Sequence, residues 1–296
     1  MARLGGAVFL KNTEGIVVPS TNLPEDQYDE EYIARLHRIN GYRAAYAPDV
    51  SHVGKTRLPE IVKAFGANDV VLAEMGFWEN ILDSNPQTRR KNREEMCSRL
   101  AAADEMGVVC FVTTIGAKVA GTVNDNVYMD ENIPDEDMEE AIDFTNRILK
   151  EVNPQRTRLT YEMFALTALD SVEQMQKMLA AIDHPGFGVH LDLTNLFSSA
   201  RSFFYRRKIL KDCVDAFGAR IISCHVKDMV LKPGLSVVLE ERPIGKGSVD
   251  IGEYLKAMHG INEEMPVMLE HMNTCREYAE AVTEIKKIAA KVNVPL

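Results

Sequence analysis

Short apolar segments that end in polar residues recur along the chain, and each is typical of a buried β-strand. They are GGAVFL (5–10), YRAAYAPD (42–49), DVVLAEMG (69–76), GVVCFVTTIG (107–116), RLTYEMF (158–164), FGVHLDLTN (187–195), IISCHVKD (221–228) and MPVMLEH (265–271). The stretches between them, such as EEYIARLHRIN and SVEQMQKMLAAID, place apolar residues three and four positions apart. That spacing predicts amphipathic helices.

The alternation of strands and helices predicts parallel strands joined by right-handed crossovers. Eight such units in a chain of 296 residues match the length of an α/β fold of the (β/α)8 TIM-barrel type. We expect a single barrel domain over residues 1–296, since no low-complexity linker divides the chain. A doubly wound open sheet is the alternative. It is disfavoured because no G-x-G-x-x-G motif follows the first strand, and GKGSVDIG (245–252) follows a loop.

Composition narrows the class of function. The formal net charge of −10 leaves no basic excess for a nucleic-acid partner. We expect no membrane association and a cytoplasmic location, because no apolar stretch reaches the length of a membrane span or a signal peptide. The five cysteines are scattered without a C-x-x-C pair, which indicates neither a disulfide framework nor a zinc knuckle.

Four of the predicted strands carry an ionisable residue near their C-terminal end, although both faces of a parallel barrel strand are buried. By strand alternation, Glu162, Asp192, His225 and Glu270 all point inward. The C-terminal ends of the strands form the face where barrel enzymes build their sites. We therefore expect these four side chains to converge at one rim of the barrel.

Three converging carboxylates would repel one another unless a cation lies between them. Three oxygen donors and one imidazole, without a thiolate, suit one divalent ion with room for substrate oxygens or water. The predicted ligands are Glu162, Asp192, His225 and Glu270. We expect Mn²⁺, with Mg²⁺, Co²⁺ or Zn²⁺ as alternatives. A buried ion pair or a core histidine would explain each residue singly, but not four at equivalent positions.

The ordered pieces YEMF, HLDLTN, CHVKD, RPIGKGSVD and MLEH resemble the xylose isomerase-like TIM-barrel superfamily, in its branch of sugar phosphate isomerases and epimerases, ketose 3-epimerases and inosose dehydratases. The resemblance is strongest from about residue 157 to 272. It implies a single Mn²⁺, Mg²⁺ or similar ion on the same four ligands. It also implies that Glu162 and Glu270 act as an acid/base pair.

The chain departs from the family pattern at two positions. Members often have a substrate-contacting histidine three residues after the metal aspartate, where this chain has Asn195. Epimerases often have an arginine six residues after the metal histidine, where this chain has Leu231. These departures leave the metal site intact but put the particular substrate and the 3-epimerase reaction in doubt.

Further residues are candidates for catalysis or substrate binding. Lys227 lies on the face of His225 and could stabilise an enediolate, or pair with a carboxylate. Glu74, His190, Asn195 and Trp78 are candidate substrate-binding residues, although buried pairing explains Glu74 equally well and His190 lies deeper in the barrel. The loop after His225 carries three cations that could bind phosphate: Lys232, Arg242 and Lys246. Two glutamates lie between them in the sequence and disfavour such a site.

The sequence predicts a divalent-metal-dependent isomerase or epimerase that acts on a sugar or sugar phosphate through an enediolate. The alternative enzyme is a metal-dependent lyase or dehydratase of a keto-sugar, an inosose or an oxidised glycoside, which would expel a leaving group from the same intermediate. A barrel that keeps its metal as a binding subunit is the non-enzymatic alternative. We expect a small-molecule carbohydrate as the binding partner and leave the oligomeric state open, a homo-oligomer included.

Overall fold

The structure, a computed structural model, describes residues 1–119, 133–272 and 274–296. Its strands are β1 (Arg3–Gly5), β2 (Phe9–Lys11), β3 (Val17–Pro19), β4 (Ala44–Tyr46), β5 (Val71–Phe77), β6 (Cys110–Thr113), β7 (Arg158–Tyr161), β8 (Val189–Asp192), β9 (Ile221–Val226), β10 (Asp228–Leu231), β11 (Leu239–Arg242) and β12 (Pro266–Leu269). Its α-helices are α1 (Glu30–Ile39), α2 (Val50–Val53), α3 (Leu58–Ala67), α4 (Pro86–Met106), α5 (Asp135–Val152), α6 (Val172–Ala181), α7 (Ala200–Phe204), α8 (Arg206–Phe217), α9 (Ile251–Ile261) and α10 (Cys275–Lys291).

Eight parallel strands form a nearly closed barrel, which confirms the predicted fold. The strand order is β7, β6, β5, β4, β1, β12, β9 and β8. A parallel bridge between Leu159 and Phe187 connects β7 to β8, the two ends of that order. A doubly wound sheet would instead leave two open edges.

The helices surround the barrel because each buries one apolar stripe against it. In α5 the buried residues include Met138, Ala141 and Phe144. Several helices begin with a side-chain cap; at α1 the Asp29 carboxylate accepts a hydrogen bond from the Tyr32 amide. None of the described helices is both long and apolar enough to cross a membrane.

The first predicted strand lies in the wrong place. The barrel strand is Arg3–Gly5, whereas Phe9–Lys11 belongs to an antiparallel pair with Val17–Pro19. The apolar pattern of residues 5–10 therefore covers the end of one short strand and the start of another. Three residues suffice for β1 because β12 and β4 flank it on both sides.

A second antiparallel pair, β10 and β11, follows β9 directly and leads into a loop that one side chain holds. The Asp228 carboxylate accepts hydrogen bonds from the backbone amides of Met229, Gly245, Gly247 and Val249. A Cβ atom on Gly247 would lie 2.0 Å from Asp228 Oδ1, so only glycine allows this approach. The end of the IISCHVKD segment thereby fixes the loop beside the barrel rim.

Candidate metal centre

The four predicted metal ligands come together at the C-terminal rim of the barrel. Asp192 and His225 are paired residues on the neighbouring strands β8 and β9, while Glu162 and Glu270 directly follow β7 and β12. One ligand atom from each of the four lies within 4.8 Å of the others. The strand order makes β7, β8, β9 and β12 consecutive around the barrel, and this order is what brings the four side chains together.

One nitrogen of His225 faces all three carboxylates. His225 Nδ1 lies 3.0 Å from Glu270 Oε2, 3.3 Å from Glu162 Oε1 and 3.7 Å from Asp192 Oδ2. Among the described residues, no group gives Asp192 Oδ2 or Glu270 Oε2 a hydrogen bond of acceptable geometry, although both oxygens are buried. Buried carboxylate oxygens that lack a donor and face an imidazole nitrogen fit a divalent cation.

Lys227 supplies positive charge beside these oxygens. Its Nζ lies 2.7 Å from Asp192 Oδ2 and 2.8 Å from Glu270 Oε2, which makes two ion pairs despite the poor hydrogen-bond angles. Burial opposes ionisation of Asp192, but Lys227 and His225 outweigh it and hold the aspartate pKa well below its usual range. At Glu270, burial is likewise outweighed by His225 and Lys227, which lower the pKa to about 2. Both carboxylates are therefore ionised.

A second buried polar group lies below the ligands, inside the barrel. His225 Nε2 is 3.0 Å from Glu74 Oε2, and the Ser223 hydroxyl donates to Glu74 Oε1 at 2.8 Å. His190 Nδ1 lies 2.6 Å from Ser223 Oγ. Glu74 and His190 are fully buried, although Glu74 also lines a cavity that reaches His225 and Glu270. Substrate binding by Glu74 or His190 stays a prediction that these contacts do not favour.

The two other candidate substrate-binding residues lie closer to open space. Asn195 Nδ2 donates to Glu162 Oε1 at 3.0 Å, so its amide holds the carboxylate of a predicted metal ligand. Trp78 lines a cavity of about 380 Å³ that also reaches His225 and Glu270. A Cβ atom on Gly76 would lie 2.6 Å from Trp78 Nε1, so the glycine makes room for the indole.

Two residues near the site carry no role in the sequence prediction. Tyr46 lines the same cavity, and its ring centroid is 6.4 Å from that of His225. His271, which directly follows Glu270, lies 2.9 Å from a Glu241 oxygen through Nδ1 and 3.6 Å from Glu270 Oε2 through Nε2. The inward alternation of YRAAYAPD could have indicated Tyr46, whereas the left-handed backbone of His271, with φ of 59°, has no sequence signal.

A larger cavity, of about 800 Å³, lies at the other end of the barrel. Arg3 and Pro266, which line it, begin β1 and β12, and Arg3 is ion-paired with Asp69 and Glu264. The N-terminal face of a barrel serves stability rather than catalysis. The smaller cavity at the ligand cluster is therefore the candidate active site.

Comparison with known proteins agrees with this geometry. A family model described as xylose isomerase-like TIM barrel matches residues 33–294. No curated protein matches the chain by sequence.

Solved structures with the same fold cover nearly the whole chain. A xylose isomerase-like TIM-barrel protein from Mycobacterium smegmatis in complex with magnesium has a TM-score of 0.70 and 14% identity, covering 98% of this chain and 97% of its own. D-psicose 3-epimerase from Clostridium cellulolyticum H10 has a TM-score of 0.66 and 12% identity, covering 89% and 93%. The IOLI protein with a bound zinc atom has a TM-score of 0.64 and 14% identity, covering 98% and 97%. At these identities the likeness establishes the fold.

Proposed function

The chain belongs to the xylose isomerase-like TIM-barrel family, and from this premise we propose that it is a divalent-metal-dependent isomerase or epimerase of a carbohydrate. The observation that carries the proposal is the cluster of one imidazole nitrogen and three carboxylate oxygens within 4.8 Å, beside an open cavity. Glu162, Asp192, His225 and Glu270 would hold the ion. Structures of similar fold with magnesium, with zinc and with epimerase activity support the proposal, and manganese stays a prediction.

The chemistry divides between the ion and the protein. When bound, the ion would supply positive charge next to two adjacent sugar oxygens, which favours an enediolate. Glu162 and Glu270 lie on opposite sides of His225 in the order of strands around the barrel. We assign one of these carboxylates to remove the proton from the α carbon and the other to return a proton to the neighbouring carbon or the opposite face. The Lys227 ammonium, which is buried, would stabilise negative charge on the sugar oxygen.

We further propose that the sugar is unphosphorylated. The candidate phosphate ligands Lys232 and Arg242 each pair with Glu240 at 2.7 Å. Arg99, the arginine of the cavity, contacts Asp49 at 2.8 Å. A phosphate dianion would have to compete with these carboxylates for Lys232, Arg242 and Arg99, which leaves the exposed Lys246 as the remaining candidate cation. The aromatic ring of Trp78 instead suits the apolar face of a neutral sugar.

The test incubates the Mn²⁺-loaded protein in D₂O with free ketoses, aldoses, keto-sugars and inososes, each paired with its phosphate ester where one exists. Deuterium on the α carbon without loss of water would support the isomerase or epimerase. Release of water or an alcohol would show that the protein is a lyase and not an isomerase or epimerase. Faster exchange with the esters would reject the unphosphorylated substrate.

Two variants control this experiment. His225→Ala should abolish exchange together with metal binding, which shows that the signal comes from this site. Lys232→Ala removes a candidate phosphate ligand from the exposed hairpin, and free-sugar exchange should stay at the wild-type rate. Folded, Mn²⁺-loaded protein that exchanges no sugar in the panel would count against the proposed reaction.

A further inference from the structure

We infer that Glu74 is a positioning residue that fixes the orientation and tautomer of His225, so that His225 Nδ1 presents its lone pair to the metal centre. The inference rests on the metal centre of the proposed function and adds a role for a residue outside the four proposed ligands. The hydrogen bond between Glu74 Oε2 and His225 Nε2, at 3.0 Å, carries it.

The chemistry of the two groups decides which nitrogen holds the proton. With a divalent ion bound at Nδ1, the His225 imidazole would be neutral and would have one N–H, and an ionised carboxylate can only accept a hydrogen bond. The contact with Glu74 therefore places the proton on His225 Nε2. Nδ1 lies 3.0 to 3.7 Å from the three ligand carboxylates, and with the ion bound it would carry no proton and present its lone pair to the ion.

Glu74 is itself held in place. The Ser223 hydroxyl donates to its other oxygen at 2.8 Å, and His190 Nδ1 lies 2.6 Å from that hydroxyl and 3.3 Å from Glu74 Oε1. Ser223 already gives its proton to Glu74, so it accepts the hydrogen bond from His190. All four side chains of this network are at most 2% exposed.

Two irregularities of the sheet occur at the residues of this network. Ala45 pairs with Leu72, but Tyr46 pairs with Glu74, so β5 has one extra residue directly before the glutamate. Between the Val189–Ile221 and His190–Ser223 pairs, β9 has one extra residue directly before the serine. A β-bulge interrupts strand pairing and redirects the following side chain. The two bulges therefore set the directions of the Glu74 and Ser223 side chains, which support His225.

Glu74 and His225 lie on strands that are not neighbours in the barrel. β4, β1 and β12 separate β5 from β9 in the strand order, so the glutamate reaches His225 through the barrel interior. Interior layers of such barrels are usually filled by branched apolar residues. A buried carboxylate at this position is costly unless it is paired and hydrogen-bonded, and His225 and Ser223 supply these bonds to Glu74.

The test measures the dissociation constant for Mn²⁺ alone, from the electron paramagnetic resonance signal of the free ion. Removing the partner of a metal-bound histidine typically weakens metal binding by about 10- to 100-fold. We expect this loss for Glu74→Leu, and a smaller loss for Glu74→Gln, which keeps an oxygen acceptor but loses the charge. In Zn²⁺-loaded wild-type protein, the His225 Nε2 proton should give a nuclear magnetic resonance signal protected from solvent exchange, and Glu74→Leu should lose that protection.

The matched control is Thr145→Val. Thr145 is also fully buried; its hydroxyl donates to Ala141 O at 2.6 Å and accepts a hydrogen bond from the Tyr161 hydroxyl at 2.9 Å, outside the barrel interior. Its Mn²⁺ affinity should equal that of the wild type even if its melting temperature falls. An equal loss of affinity in Thr145→Val and Glu74→Leu would reduce the role of Glu74 to general packing and overturn the inference.

The remaining outcomes separate this inference from the proposed function. Wild-type Mn²⁺ affinity in Glu74→Leu would overturn the inference while the proposed function stands. If Glu74→Leu does not fold, Glu74→Gln decides, and its affinity must fall below that of Thr145→Val. A wild-type protein that binds neither Mn²⁺ nor Zn²⁺ would overturn the inference and the proposed function together.

Discussion

His37 should make the fold sensitive to mild acid. The side chain is 2% exposed on α1 and packs against the rings of Tyr42 and Phe65, with its Nδ1–H donating to the Ile33 carbonyl at 2.9 Å. Burial lowers the pKa of His37 to about 4, although the hydrogen bond to Ile33 opposes this effect. The unfolded chain therefore binds a proton near pH 6.5 that the folded protein does not bind until about pH 4.

The sign and size of the effect follow from this difference. Where the unfolded state binds more protons, the free energy of unfolding falls as the pH falls. With values of 6.5 and about 4, His37 lowers the free energy of unfolding by about 2 kcal/mol between pH 7 and pH 5, and by about 3 kcal/mol at pH 4. The loss is a large share of the roughly 5–15 kcal/mol of a typical domain.

The assay is urea unfolding of the wild type and His37→Gln at a series of pH values from 7 to 4. Glutamine can still donate to the Ile33 carbonyl but does not titrate. We expect the stability difference between the two proteins to change by about 2 kcal/mol from pH 7 to pH 5, in favour of the variant. His52→Gln, at an exposed position, reports the effect of losing a surface histidine. Parallel pH profiles for the wild type and His37→Gln would show that burial of His37 does not make the stability depend on pH.

Three further predictions concern the site and its supporting loop. Elemental analysis should find roughly one divalent ion per chain in the wild type, and His225→Ala should lose most of it. Full occupancy in the variant would reject His225 as a ligand. Glu162→Gln and Glu270→Gln should each retain most of the metal while turnover falls by roughly 10² to 10⁴; near wild-type turnover in both would reject them as the acid/base pair. Gly247→Ala should destabilise the protein by about 1–3 kcal/mol in thermal unfolding, because the new methyl group would meet the Asp228 carboxylate that holds the loop. Gly66→Ala is the control: it lies in a helix with open space around it and should be neutral or slightly stabilising. Equal effects of the two substitutions would contradict the proposed crowding.

The sequence predicted the barrel and the convergence of the four candidate ligands because both depend on local patterns. An ionisable residue such as Asp192 or His225 in an apolar run marks a strand end, and parallel strands bring such ends to one rim. Strand β1 was predicted incorrectly because three residues are too few to show alternation. Periodicity also cannot show a bulge, and the extra residues of β5 and β9 appear only in the pairing of strands.

The contacts between distant residues could not be read from the sequence either. Glu74 and His225 are 151 positions apart, and the sequence favoured neither a sugar hydroxyl nor a buried partner for the glutamate. Asn195 stands where relatives often have a substrate-contacting histidine, yet its amide donates to Glu162. In both cases the residue type indicated that a polar side chain makes a hydrogen bond, but only the folded structure shows with which residue.

The Asp228 carboxylate divides the segment after β9 into a part that can vary and a part that cannot. Residues 243–249 are tied to Asp228 through three backbone amides, so a change in their number would break the set. The turn between β10 and β11 carries no such constraint, and Leu235 at its tip is fully exposed. Insertions in this turn would lengthen the rim without moving His225, so access to the cavity could change while the four proposed metal ligands stay in place.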